Sequence, residues 1–218
     1  MAAEYGLHCF AQSGNAYKAA LMLALNEADW EPVFVDFFNG ESRTLEYRAT
    51  NPMGEVPVLT HGEVRLSQSG VILDYLALRF RDLAPKSEAD RLEVLRWLLW
   101  DNHKLTGAIA PLRFLMSFVP PEKRNTAVLG FLDGRAKAAL KVLEAHLEGR
   151  AWIVGERPSI ADLSCVGYLY FGDEFGFEPA AYPNIDRWRE AISALPGWAH
   201  PYDLMPGHPL PATDGGAG

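Results

Sequence analysis

One nine-residue stretch, Asn51 to Leu59, has the residue types of a turn that could hold a peptide. The pattern predicts a turn leading into a short strand, with Pro57 at the start of that strand. Proline donates no N–H to a sheet, so it is found at the first residue of a strand, at an edge or at a bulge. If the Val56–Pro57 bond is cis, the N–H and C=O of Val56 point outward and can pair with an extended peptide ligand. The alternative is an ordinary proline–glycine loop before an edge strand.

Two predicted helix beginnings carry polar side chains that could meet a negatively charged group. Ser13 and Asn15 follow a first strand and stand at or near the start of a helix, and Gln68 and Ser69 stand directly before another. Free N–H groups and the helix dipole favour an anion at such a terminus. The alternative for each serine is a plain helix N-cap. Capping and ligand binding use the same end of the helix, so one residue can do both.

The elements that must position these groups form a compact α/β unit over residues 1–81. Short apolar runs predict strands and a periodic alanine–leucine pattern predicts a helix between the first two, which gives βαβ with a parallel pair and a right-handed crossover. A hairpin and a final helix follow, so that the order is βαβ and then ββα. The predicted strands cover Tyr5–Phe10, 30–38, Val58–Thr60 and Val64–Leu66, and the helices cover 16–26 and 70–80.

After a linker over residues 81–87, the pattern predicts only helices, in a second domain over 88–206. The first is a long amphipathic helix over 88–118, and Gly107 and Pro111 should bend it. Ser159 and Asp162 have the spacing of a capping box before an apolar run, which predicts a buried helix start. Further helices are expected over 123–147 and 183–195, and a disordered tail over 207–218.

Composition and charge narrow the classes of function. The 218 residues carry a formal charge of -8, which argues against nucleic acid or an anionic membrane as the main partner. The two cysteines, Cys9 and Cys165, stand far apart in apolar surroundings, and no signal peptide or membrane span is apparent. This pattern fits a reducing compartment, so we expect a cytoplasmic protein. No histidine pair has the spacing of zinc ligands, so no metal is expected.

Five motifs in order resemble those of the cytosolic glutathione S-transferase superfamily, across nearly the whole chain. They are similar to the family's Asn-Pro-x-Gly-x-Val-Pro-x-Leu, its Glu-Ser-x-Ala-Ile, its Ser/Thr-x-Ala-Asp capping box and the two parts of its last helix. The matching segments are 51–59, 68–72, 159–162, 183–188 and 195–198. The resemblance implies a thioredoxin-like N-terminal domain, an all-helical C-terminal domain, a cis Pro57 and a homodimer. It also implies a transferase that uses glutathione as co-substrate in detoxification.

The resemblance implies roles for particular residues. Ser13 resembles the catalytic serine of theta-like classes, and Ser13-Gly14-Asn15 is similar to the Thr/Ser-x-Asn of bacterial nu-class enzymes. These polar groups would stabilise the glutathione thiolate, which is the nucleophile. The residues that would bind the rest of glutathione are Val56, Pro57, Gln68, Ser69, Arg43, Thr44 and, across a dimer interface, Asp101. The sequence departs from the family at Glu55, where lysine or a neutral residue is common, and at Gln68, which replaces glutamate.

The second substrate would be a small hydrophobic electrophile bound between the domains. The candidate wall residues on the long helix are Trp100, His103, Leu112 and Phe114, each of which could instead belong to the core of the helical bundle. Two other functions remain open on the same fold. One is a glutathione-dependent disulfide reductase, dehalogenase or isomerase, and the other is a binding module without catalytic activity.

Overall fold

A computed structural model describes residues 3–209 of the chain. Its N-terminal half contains one four-stranded sheet in the order β2-β1-β3-β4. β1 pairs with β2 in parallel and with β3 in antiparallel, and β3 and β4 form the hairpin. The strands are β1 (Tyr5–Cys9), β2 (Trp30–Phe34), β3 (Val58–His61) and β4 (Val64–Ser67).

Three helices accompany the sheet, and two of them carry the residues of interest. They are α1 (Gly14–Leu25), α2 (Leu45–Thr50) and α3 (Ser69–Phe80). Leu7 of β1 and Leu59 of β3 are fully buried in one core with Leu23 of α1 and Leu76 of α3. Because successive residues of a strand point to opposite faces, Leu7 shares the buried face of β1 with Tyr5 and Cys9.

The predicted fold class is confirmed: a mixed α/β unit with the order βαβ-ββα precedes an all-helical domain. The second strand is shorter than predicted and ends at Phe34. β2 is an edge strand, which accommodates Pro32 inside it, because an edge N–H needs no partner.

The helical domain follows a short linker. Its α-helices are α4 (Glu88–Trp100), α5 (Thr106–Ser117), α6 (Thr126–His146), α7 (Ile160–Val166), α8 (Pro183–Ser193) and α9 (Pro201–Leu204). The capping box is present: the Ser159 N–H donates to the Asp162 carboxylate at 2.8 Å, and the Ser159 side chain accepts in return. The buried start predicted for α7 is therefore confirmed.

The long helix expected over 88–118 is interrupted earlier than predicted. A π-helical turn, Asp101–Leu105, separates α4 from α5, and Pro111 lies inside α5. The Asn102 carbonyl approaches Gly107 so closely that a Cβ there would lie 3.0 Å from its oxygen. Gly107 thus makes room for the turn. The Asp101 carboxylate also accepts from the Thr106 hydroxyl at 2.8 Å, which ties the two ends of the turn together.

A fully buried ion pair joins the two domains. Lys18 of α1 donates to Asp101 at 2.6 Å, and both side chains have no exposed surface. Ser164 of α7 donates to the same carboxylate oxygen at 2.6 Å, and Lys18 also contacts the Thr106 hydroxyl at 3.1 Å. A Cβ on Gly167 would lie 2.6 Å from Cγ of Lys18, so glycine makes room for the buried lysine.

Residues 206–208 return to the first domain, which corrects part of the predicted tail. The Ala11 N–H donates to the Pro206 carbonyl at 2.8 Å, and the His208 ring packs against Phe10 and Phe38. Residues 207–208 are therefore held against the N-terminal domain and are not a loose tail. Residues 210–218 lie outside the part of the chain that the structure describes.

Candidate active site

Ser13 is the N-cap of α1, and its hydroxyl keeps a proton to donate. Its oxygen accepts the N–H of Ala16 at 3.1 Å, so capping uses a lone pair and not the O–H. The side chain is largely buried but borders an open cavity between the domains. A hydroxyl in this position can donate to an anion in the cavity, where the dipole of α1 acts in the same direction.

That cavity, of about 250 Å³, is walled mainly by aromatic rings. The rings that line it are Phe10, Phe37, Phe38, Phe114, Phe118 and Tyr168. Phe10 and Phe37 are stacked with their centroids 4.8 Å apart. These rings give the cavity an aromatic side that suits a flat apolar group, beside the polar side chains of Ser13 and Asn15.

A second, smaller cavity of about 30 Å³ lies beside the start of α3 and has a polar lining. Ser69, in the first turn of α3, and Gln68 before it form one side, and Asn102 of the π-helical turn forms another. Asn15, Glu55 and Val56 border both cavities. The Ser69 hydroxyl lies 3.5 Å from the Asn15 side-chain oxygen. The two cavities are therefore parts of one site that extends from α1 to α3.

The backbone of Val56 is available to a ligand at this site. The Val56–Pro57 peptide is cis. Within residues 3–209, neither the N–H nor the C=O of Val56 is hydrogen-bonded to another residue. The preceding carbonyl, that of Glu55, is held by the Tyr47 hydroxyl at 3.0 Å and by the Asn51 amide at 2.8 Å. Sequence reasoning missed this positioning role of Tyr47 and Asn51, because only the fold brings α2 beside the turn.

Gln68 has a backbone conformation that non-glycine residues rarely adopt. Its φ is 69° and its ψ is 113°. Strained conformations of this kind cost of order 1–3 kcal/mol and are concentrated at functional sites. The Gln68 amide lies 3.3 Å from the Glu55 carboxylate and 3.1 Å from the Met53 sulfur. The residue in this strained conformation is thus one whose polar side chain lines the smaller cavity.

Gln12, the residue before Ser13, is held from two sides. Arg113 of α5 donates to the Gln12 carbonyl at 2.6 Å, and the Gln12 side chain makes reciprocal hydrogen bonds with the His208 backbone at 2.6 and 3.1 Å. The Arg113 guanidinium is itself paired with Glu174 at 2.7 Å and lies over the Phe171 ring. The turn that carries Ser13 is thus held by the helical domain and by His208.

The structure does not bring every predicted residue to these cavities. Phe114 lines the larger cavity, but Trp100, His103 and Leu112 line neither. Leu112 is buried on another side of α5, and His103 is exposed on the π-helical turn. A helical stripe of apolar residues does not reveal which side faces a cavity. Arg113 and Phe118 were missed for the same reason.

The structure corrects the predicted role of Asp101 most clearly. It was expected to bind glutathione across a dimer interface, but both of its oxygens are used inside the fold by Lys18, Thr106 and Ser164. Arg43 and Thr44 line neither cavity, and the Thr44 side chain caps α2 by accepting the Tyr47 N–H at 3.1 Å.

The cysteines lie away from this chemistry. Both are fully buried, Cys9 in β1 and Cys165 in α7. Burial raises the pKa of the Cys9 thiol to about 12, and burial raises the pKa of Cys165 well above the usual value. Both therefore stay protonated in the folded protein. Across residues 3–209 there is no cluster of three or more metal-binding side chains, and no helix there is long and apolar enough to cross a bilayer.

Comparison with known proteins gives a consistent result over both domains. Residues 4–78 match the family model for the glutathione S-transferase N-terminal domain, and residues 112–196 match that for the C-terminal domain.

Among curated relatives, glutathione S-transferase F14 of Arabidopsis thaliana is 30% identical over 94% of this chain and 88% of its own. Maleylacetoacetate isomerase of Pseudomonas aeruginosa is 31% identical over 89% of this chain and 95% of its own. Among solved structures, a glutathione S-transferase from Pseudomonas fluorescens superimposes with a TM-score of 0.85 at 32% identity, over 92% of this chain and all of that one.

Proposed function

The chain belongs to the glutathione S-transferase family, and on that premise we propose that Ser13 and Asn15 activate the glutathione thiol for transfer to a small hydrophobic electrophile. The overall activity is that of a glutathione transferase. The division of labour among residues is argued below from the geometry of the two cavities.

Glutathione spans the two cavities, with its γ-glutamyl end in the smaller one. Its γ-glutamyl carboxylate binds Ser69 and the free N–H groups at the start of α3, where an anion is favoured. Its cysteinyl backbone pairs with the N–H and C=O of Val56, next to Pro57, as an added strand does. Gln68 borders the γ-glutamyl group.

The thiolate then lies beside Ser13 and Asn15. The Ser13 hydroxyl donates to the sulfur, because its oxygen already accepts from Ala16 and its proton is free. A charge-assisted hydrogen bond of this kind lowers the pKa of the thiol, so more thiolate is present at neutral pH. Asn15 contributes its side-chain amide from between the two cavities.

The observation that carries the proposal is the position of Asn15. It borders the aromatic cavity beside Ser13 and the polar cavity beside Ser69, so one ligand can touch both helix N-termini at once. The aromatic cavity next to Ser13 holds the electrophile. Its aromatic rings are neutral, the Arg113 charge is paired with Glu174, and the other charged group on its lining is the Glu55 carboxylate. We therefore infer a preference for aromatic electrophiles without negative charge.

A second reaction on the same site is glutathione-dependent isomerisation. The relative named maleylacetoacetate isomerase favours it, since that protein is as similar to this chain as the named transferase is. In that reaction glutathione adds and leaves again, so no conjugate accumulates. Product analysis with an aromatic electrophile and with a cis-configured unsaturated diketo acid separates the two reactions.

Calorimetric titration of glutathione tests the site directly. The wild-type protein should bind one glutathione per subunit, and Ser69→Ala should weaken binding, with Ser67→Ala as a control on the preceding strand. Ser13→Ala should leave affinity nearly unchanged at pH values below the pKa of the bound thiol. It should raise that pKa by about one to two units, because the lost hydrogen bond to a charged group is worth about 1.5–3 kcal/mol. An unchanged thiol pKa in Ser13→Ala would assign thiol activation elsewhere.

We further propose a cytoplasmic homodimer. Exposed apolar side chains on α3 and α4 make up a candidate interface, which we call the apolar face: Val71, Leu78, Leu92, Leu95 and Leu99. The N-terminal end of α3 lies near the π-helical turn after α4, where a Cβ on Gly70 would be 3.6 Å from the Asn102 amide. Large apolar side chains that are exposed together are typical of an interface. Light scattering should give twice the mass of one chain, and Leu95→Glu should give a monomer.

A further inference from the structure

Glutathione carries an ammonium group next to its γ-glutamyl carboxylate, and that cation needs an acceptor. A buried or half-buried charge is tolerated when it is paired and hydrogen-bonded. Neither of the two carboxylates that the family resemblance suggests for this role is available here. Position 68 holds a neutral glutamine, and Asp101 is fully buried in its pair with Lys18.

Glu55 supplies the missing charge in the right place. Of the residues that line the two cavities, it is the one carboxylate among those the structure describes. It directly precedes Val56, and its carboxylate lies 3.3 Å from the side-chain amide of Gln68, the residue before Ser69. A zwitterionic amino-acid group therefore finds an anion site at Ser69 and a cation site at Glu55 side by side.

We propose that Glu55 binds the γ-glutamyl ammonium of glutathione, a role that rests on the proposed function of this site. Gln68 acts as a positioning residue, because its amide donates to the Glu55 carboxylate and holds it at the mouth of the smaller cavity. The two departures from the family pattern then have one cause. With a carboxylate at position 55, a second one at position 68 would place two like charges at hydrogen-bond distance, which is unfavourable.

The Glu55 backbone is fixed independently of its side chain, so the side chain can be changed safely. The Glu55 carbonyl is held by Tyr47 and Asn51, while the side chain is exposed. Glu55→Gln keeps the size of the side chain and removes only its charge. Glu63→Gln is a matched control, because Glu63 is also exposed but lies on the β3–β4 turn and lines neither cavity.

The decisive experiment compares two ligands on each protein by calorimetry. One is glutathione, and the other is glutaryl-cysteinyl-glycine, the same tripeptide without the ammonium group. We expect the wild-type protein and Glu63→Gln to bind glutathione at least tenfold more tightly than the analogue. Glu55→Gln should bind glutathione about tenfold more weakly and should lose the discrimination. The double variant Glu55→Gln/Gln68→Glu moves the carboxylate from position 55 to position 68, and it should restore part of the discrimination between the two ligands.

Because both ligands are measured on the same protein, a general disturbance of the fold changes both affinities and leaves their ratio intact. Discrimination that persists in Glu55→Gln would overturn the role of Glu55 while leaving glutathione binding in place. A wild-type protein that binds neither ligand would instead overturn the proposed function, and the role of Glu55 with it.

Discussion

Removing the amine of Lys18 should destabilise the protein far more than removing any surface lysine. In Lys18→Met the methionine fills a similar volume, but the Asp101 carboxylate stays buried with only the Thr106 and Ser164 hydroxyls as donors. Breaking a fully buried ion pair on one side costs about 3–5 kcal/mol. For a chain of this size each kcal/mol lowers the thermal midpoint by about 2–4 °C, so the expected fall is about 6–20 °C.

The measurement is a set of urea and thermal unfolding curves, with circular dichroism as the signal. Lys137→Met is the control, because Lys137 pairs with Asp133 on the exposed face of α6, and it should leave the midpoint nearly unchanged. Lys18→Met/Asp101→Asn removes both charges and keeps an acceptor for the two hydroxyls. It should be more stable than the sum of the single changes implies, by about 1–3 kcal/mol. A loss below about 1 kcal/mol in Lys18→Met would refute the reasoning, because the site would then be reached by water.

Three other predictions concern the thiols, the strained residue and the clamped turn. Neither cysteine of the native protein should react with a thiol reagent near pH 8. The pKa of Cys9 is about 12 in the folded protein and near 8.5 in the unfolded chain, so the unfolded chain loses the thiol proton first and the free energy of unfolding should fall as the pH rises above about 9. Cys9→Ala should reduce that fall. Gln68→Gly should raise the free energy of unfolding by about 1 kcal/mol, because glycine adopts a positive φ without strain. It should also weaken glutathione binding. A loss of stability would show that the Gln68 backbone is not strained. Gln12→Ala removes two hydrogen bonds to His208 and should lower the free energy of unfolding by about 1–3 kcal/mol. It should also lower kcat more than it changes KM for glutathione. An unaltered kcat would mean that the hydrogen bonds of Gln12 do not position Ser13.

The sequence predicted those parts of the molecule that short-range rules control. Pro57 predicted the start of β3, Ser159 and Asp162 predicted the start of α7, and the alternation of strand and helix predicted the fold class. In each case the determining residues lie within a few positions of one another. The placement of Ser13 at the cap of α1 follows the same rule.

The errors concern residues whose surroundings are set by distant parts of the chain. Asp101 is an acidic residue on a predicted helix, where a surface position is expected. Its ion pair with Lys18, 83 positions away in the sequence, lets it lie in the core instead. Leu95 and Leu112 both belong to apolar stripes, yet one is exposed and the other is buried away from the cavity. A period of 3.6 residues identifies an apolar face but does not say whether it meets a core, a ligand or a second chain.

The hydrogen bonds between Gln12 and His208 affect the stage of folding at which the protein becomes active. Gln12 and His208 are 196 positions apart, so their hydrogen bonds close a loop of nearly the whole described chain. Contacts of such a span form after the local ones, and here only once both domains have folded and docked. The turn that carries Ser13 is therefore completed at the end of folding. With Ser13 in its proposed role, recovery of catalytic activity during refolding should accordingly lag behind recovery of helix content.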